Sequence, residues 1–98
     1  MSHETYTLYP RITDAQALPG YHLRISFDNG ETRDYDFRPH LALDMFHLLQ
    51  NEAFFRAVKV DVGGFGLSWN DDMDIAASEL RLNSQLISKK SEHLVTAH

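Results

Sequence analysis

The stretch LRISFDNGETRDYDF, residues Leu23–Phe37, decides the fold, because it carries apolar residues in strand-like alternation on both sides of a glycine turn. Tyr21, Leu23, Ile25 and Phe27 alternate with His22, Arg24 and Ser26, the two-residue period of a strand with one buried face. Tyr35 and Phe37 mark a further strand after the turn. A two-residue turn at Asn29-Gly30 would set Ile25 opposite Asp34 and Leu23 opposite Asp36, placing carboxylates on the apolar face. A three-residue loop, Asp28-Asn29-Gly30 with Gly30 left-handed, instead pairs Ile25 with Arg33, Leu23 with Tyr35 and Tyr21 with Phe37. The apolar faces then agree. The reading predicts an antiparallel hairpin in which Gly30 serves its backbone angles and Asp28 and Asn29 serve the turn's hydrogen bonds.

Working outward, RITDAQALPG, residues 11–20, reads as a first strand closed by Pro19-Gly20, its alternation broken by Asp14 and Gln16. Beyond the hairpin, Pro39 fits the first turn of a helix, and HLALDMFHLLQ places Leu41, Met45 and Leu48 on one face with Leu49 beside them. Asn51 reads as the N-cap of a second short helix through Phe54, Phe55 and Val58, with Glu52 in its first turn. VKVDV, residues 58–62, alternates as a strand, and Gly63 to Gly66 read as a four-residue loop pairing Val62 with Leu67 and Val60 with Trp69. NDDMDIAASEL is an acidic loop leading into a short helix that carries Ile75, Ala76, Leu80 and Leu82, with Asp74 near its start. The expected class is α+β, a small mainly antiparallel sheet of about five short strands with two or three short helices. One domain is expected over residues 1–82, followed by a polar, flexible extension over 83–98 in which Leu86 and Ile87 could dock on a partner.

Composition bounds the function. The chain has 98 residues, 43% apolar and 23% charged, enough for one modest core. It has no run of apolar residues long enough to span a bilayer, and MSHETYTLYP lacks the pattern of a secretory signal, so a cytoplasmic protein without a membrane segment is expected. The absence of cysteine removes disulfides, thiolate metal sites and cysteine nucleophiles. A net charge of −5 repels phosphate backbones, and only Arg33 with Arg38, and Lys89 with Lys90, offer basic pairs; this argues against nucleic-acid binding by the chain alone.

Four features resemble chemistry, and each has a plainer explanation. GGFG opens a strand rather than a helix and lacks the spacing of a phosphate loop. Asn70, Asp72 and Asp74 sit at alternate positions like the first ligands of a calcium loop, but the sixth and twelfth positions hold Ile75 and Arg81 instead of Gly and Glu. Asp71, Asp72 and Asp74 therefore remain only weak hard-cation candidates. His40 and His47 on one continuous helix would be about 10.5 Å apart along its axis, too far to share an ion. Asp44 is placed to contact either, yet no Ser or Thr stands in an activating motif, and His22 reads as a sheet-surface residue. Tyr21, Phe27, Tyr35 and Trp69 could stack bases, but they fall on the buried parity.

LRISFDNGETRDYDF, LLQNEAFFRAVKV and GLSWNDDMDIAASEL, in this order, resemble the small bacterial family known as domain of unknown function 2442, over Pro10 to Leu82. The resemblance implies an α+β fold and no catalytic residue set. Some relatives append a helix-turn-helix domain, for which residues 83–98 are too few, and many occur beside another small protein in an arrangement similar to a toxin and antitoxin pair. The expectation is a non-enzymatic protein-interaction or regulatory module, without catalytic residues or cofactor, that binds another protein or itself as a homodimer through open sheet edges. The competing reading is a small-ligand or metal-dependent enzyme built on Asp71, Asp72 and Asp74 with a histidine brought near by folding.

Overall fold

A computed structural model of the protein describes residues 9–90. Strands β1 (Ile12–Leu18), β2 (His22–Phe27), β3 (Glu31–Asp36) and β7 (Gln85–Lys89) form a four-stranded antiparallel sheet in the order β1-β2-β3-β7. Strands β4 (Lys59–Val60), β5 (Gly66–Asn70) and β6 (Met73–Ala76) form a second antiparallel sheet in that order. Between the sheets in sequence lie two 3-10 segments, Arg38–Ala42 and Asp44–Gln50, and the short helix α1 (Glu52–Phe55). A 3-10 turn, Val62–Gly64, precedes β5, and helix α2 (Ala77–Leu82) follows β6. The class is α+β as expected, with seven strands among the described residues divided between two sheets.

The hairpin has the register that parity demands. Leu23 faces Tyr35 and Ile25 faces Arg33, while the Phe37 amide donates to the Tyr21 carbonyl at 2.9 Å. Gly30 has φ +90°, and its amide donates to the Phe27 carbonyl at 3.1 Å. The irregular alternation of β1 also has a cause: Ile12 pairs with Phe27 but Asp14 pairs with Ser26, so Thr13 is an extra residue. That bulge moves the inward face from Ile12 to Ala15 and Ala17.

The core is built from Leu23, Ile25, Leu49, Leu67 and Leu80, all fully buried, around an aromatic cluster. Phe37 is the centre of that cluster, with ring centroids 5.1 Å from Phe46, 5.4 Å from Phe55 and 5.3 Å from Trp69. Trp69 is the extra residue of a bulge in β5, and its indole N–H donates to the Phe55 carbonyl at 2.8 Å. Phe27, Tyr35 and Trp69 are buried and Tyr21 is half-buried, so these aromatics serve the interior.

Four local expectations are corrected. Residues 40–50 do not form one α-helix: Leu43 is extended (φ −79°, ψ 137°) and splits them into two 3-10 segments. The second segment is itself kinked at Phe46 (φ −109°, ψ 15°), and its buried positions are Phe46 and Leu49, while Met45 and Leu48 stay half exposed. Packing of Phe46 edge-on against Phe37 overrides the α-helical pattern. The N-cap at Asn51 is as expected, its side chain accepting from the Ala53 amide at 3.0 Å and the Phe54 amide at 3.4 Å.

Val60 pairs with Leu67 rather than Trp69, leaving Val62 98% exposed. The shift is by two residues, so parity survives; Asp61, which accepts the Ser68 hydroxyl at 2.6 Å, belongs to the connection. Residues Met73–Ala76, read as acidic loop and helix start, are strand β6, because the Asn70 side chain closes a tight turn by accepting from the Asp72 and Met73 amides at 2.8 and 2.9 Å. The segment read as a polar, flexible extension contains β7, whose five side chains are all exposed. Backbone pairing to β3, rather than side-chain burial, makes it a strand, and residues 91–98 lie outside the described part.

Gly30 joins these elements, since a Cβ there would run into the carbonyl oxygen of Lys90, whose amide donates to the Gly30 carbonyl at 2.9 Å. Gly30→Ala is expected to lower stability by roughly 2 kcal/mol through its left-handed backbone and this collision. Denaturant titration reads the loss, and hydrogen exchange should show the β7 amides opening first.

Candidate functional site

The acidic loop does not assemble a centre. Asp71 and Asp72 occupy the turn between β5 and β6, Asp74 lies on β6 opposite Ser68, and all three are exposed. Among the described residues, no three His, Asp or Glu side chains gather as a metal ion requires. The described histidines, His22, His40 and His47, are likewise dispersed. His22 Nδ1 lies 2.6 Å from Asp34 Oδ1 on the outer face of the larger sheet, and His47 is exposed. The break at Leu43 separates the segments that carry His40 and His47, and His40 is half-buried.

His40 stacks beside Tyr35, with ring planes 9° apart. Tyr35 Oη lies 2.5 Å from His40 Nε2 and 3.4 Å from Glu79 Oε2, and Glu79 also accepts from the Asn83 side chain at 2.8 Å. Burial, reinforced by the Glu79 carboxylate, pushes the Tyr35 phenol up to about 12. The phenol is therefore protonated at neutral pH and ties the first 3-10 segment to α2 as a hydrogen-bonding post.

A second tie was not legible as such. Glu31 and Arg33 lie on the inward parity of β3, and Glu31 is only 5% exposed. Arg33 Nε donates to Glu31 at 2.8 Å, while Arg81 from α2 donates through Nε at 2.9 Å and a terminal nitrogen at 3.1 Å. These guanidinium bonds, Arg81 first, hold the Glu31 carboxyl down at about 2. Arg38 similarly clasps Asp36 at 2.7 Å, so both arginines of the expected basic pair are committed to carboxylates.

The far side of α2 forms one wall of an open groove of about 700 Å³. Tyr9 and Arg11, approaching β1, form the opposite wall, with Asp28, Phe65, Arg81 and Leu82 contributing the remainder. Its rim is apolar and exposed: Tyr9 is 71%, Phe65 62% and Leu82 78% accessible.

Phe65 is held outward by its loop. Gly64 has φ +75° and lies so close to β1 that a Cβ would run into the Ile12 carbonyl oxygen. On the other side, the Ala77 amide donates to the Phe65 carbonyl at 2.8 Å. The Arg11 guanidinium sits 4.7 Å above the Phe65 ring, a cation–π contact. Arg11 and Asp28 are tied by two bonds, the Arg11 amide donating to the Asp28 side chain (Oδ1) at 3.1 Å and the Asp28 amide to the Arg11 carbonyl at 2.8 Å. GGFG thus positions an aromatic ring, a role that becomes visible only once β1 and α2 are placed beside the loop.

Fold and site together define a small α+β protein whose two antiparallel sheets support an apolar groove. The chain belongs to the family described as Protein of unknown function (DUF2442), whose sequence profile matches residues 12–85. No curated protein and no solved structure matches it. The matched segment contains both sheets up to the start of β7, together with Asp28, Phe65, Arg81 and Leu82 of the groove. Among the described residues, no helix is long and apolar enough to cross a membrane.

The two sides of α2 should respond differently to mutation. Glu31→Gln is expected to cost roughly 3 kcal/mol at pH 7, since it leaves two inward guanidinium groups without their carboxylate. A carboxyl lowered on folding stabilises only where it is ionised, so this difference should shrink as pH falls from about 4.5 toward about 2, as read by denaturant unfolding at each pH. Phe65→Ala and Leu82→Ala, both on the exposed rim, should each change stability by less than about 0.5 kcal/mol in the same assay.

Proposed function

We propose that this protein is a non-enzymatic protein-interaction module, the antitoxin-like or regulatory partner of a small neighbouring protein, with the groove as its contact face. The observation that carries this reading is the outward-held Phe65 ring, fixed between β1 and α2 and flanked by Tyr9, Leu82 and Arg11. Aromatic and arginine side chains dominate the energetic centres of protein interfaces, and a ring already fixed in place loses little entropy on binding. An exposed apolar cluster beside a groove is also a surface that gains by being covered. The enzymatic alternative based on Asp71, Asp72 and Asp74 has no comparable support, because the three carboxylates are spread over an exposed turn and strand.

Affinity purification from the native host at near-physiological expression tests the proposal. The parent chain should recover a stoichiometric protein partner, and Phe65→Asp should lose it while retaining its thermal unfolding profile. Recovery of no stoichiometric partner by the parent would overturn the reading.

A further inference from the structure

We infer that the groove takes a segment of the partner protein in which apolar side chains stand beside carboxylates. The inference rests on the groove being a protein contact face and adds the chemistry of what it contacts. The chain carries nine lysines and arginines, of which Arg24, Arg33, Arg38 and Arg81 are ion-paired. The other five have no ion pair among the described residues, and three of them collect in one place. Arg11 lines the groove, while Lys89 and Lys90 line a hollow that meets the groove at Asp28. Asp28 is the one carboxylate in either lining, and its Oδ1 already accepts the Arg11 amide. A surface short of negative charge therefore adjoins the apolar rim, on a chain whose net charge is −5.

Arg11 is also prepared for a carboxylate. Its contact with Phe65 occupies the face of the guanidinium and leaves the N–H edge open, and those N–H groups have no acceptor among the described residues. The two bonds to Asp28 fix the main chain from which the side chain starts. A planar cation stacked in this way receives a carboxylate edge-on through paired hydrogen bonds, with little further ordering on binding. An incoming apolar side chain covers Phe65 and Leu82 while a neighbouring carboxylate meets Arg11, so one segment uses both chemistries. A second copy of the chain suits this surface less well. Arg11 and Asp28 are neighbours within one chain, and groove-to-groove docking would bring the same positive excess together twice.

Selection of random phage-displayed peptides on the immobilised full chain tests the inference. The recovered sequences should combine Asp or Glu with aromatic or aliphatic residues. Fluorescence anisotropy with the corresponding synthetic peptides should show affinity falling as salt is raised. Arg11→Gln should weaken binding by about tenfold, and Phe65→Asp should abolish it. Lys89→Glu combined with Lys90→Glu changes only exposed side chains, so it should weaken binding by at least as much with an unchanged unfolding profile, even if Arg11→Gln disturbs the Phe65 loop. Neutral or basic peptides that bind through Phe65 overturn the inference and leave the interaction-module reading standing. Acidic peptides indifferent to both Arg11→Gln and the lysine reversals overturn it as well, and so does recovery of no peptide that depends on Phe65. A full chain that sediments as a dimer through Phe65 gives the groove to a second copy and equally overturns the inference.

Discussion

The Phe37 ring is the point on which the molecule depends. It follows the last residue of β3 and meets Phe46 of the second 3-10 segment, Phe55 of α1 and Trp69 of β5. Thus one side chain from the larger sheet fixes the intervening segment and the smaller sheet together. The hairpin register puts it there: with Leu23 opposite Tyr35, the Phe37 amide reaches the Tyr21 carbonyl and the ring turns inward. A one-residue slip would send Phe37 and Tyr35 to the solvent face and expose the aromatic cluster.

This dependence explains which parts of the fold could be read from sequence. Alternation is local, so Leu23, Ile25, Phe27, Tyr35 and Phe37 announced their own orientation, and Gly30 announced the turn. Asn51 likewise caps a helix by contacts within three residues. The misread segments answer to distant partners. Leu43 breaks the 40–50 stretch so that Phe46 can meet Phe37, and β7 exists because β3 offers it a backbone edge. Met73–Ala76 carried an alternation of its own, with Met73 and Ile75 inward and Asp74 outward, but its acidic flank and alanines favoured a helical reading.

The groove was less legible than the core for a similar reason. Tyr9, Phe65 and Leu82 are separated widely in sequence, and none belongs to a spaced motif. GGFG did attract notice, but its two glycines looked sufficient as turn residues; that Gly64 also presses against Ile12, fixing a neighbouring aromatic ring, required the strand beside it. Glu31 gave no sign either. Its position on the inward parity of β3 was implied by the register, whereas Arg81, the partner that makes a carboxylate tolerable there, lies fifty residues away.

The GGFG loop separates what holds the molecule together from what it shows to its surroundings. Its constrained part is the glycine backbone, with Gly64 pressed against β1 and Gly66 against β6, whereas Val62 and Phe65 project away from the interior. Natural variation can therefore rewrite the displayed chemistry at these positions, and at Tyr9 and Leu82, with little toll on folding. Descendants of one ancestral scaffold could acquire divergent binding preferences by this route while their interiors stayed the same.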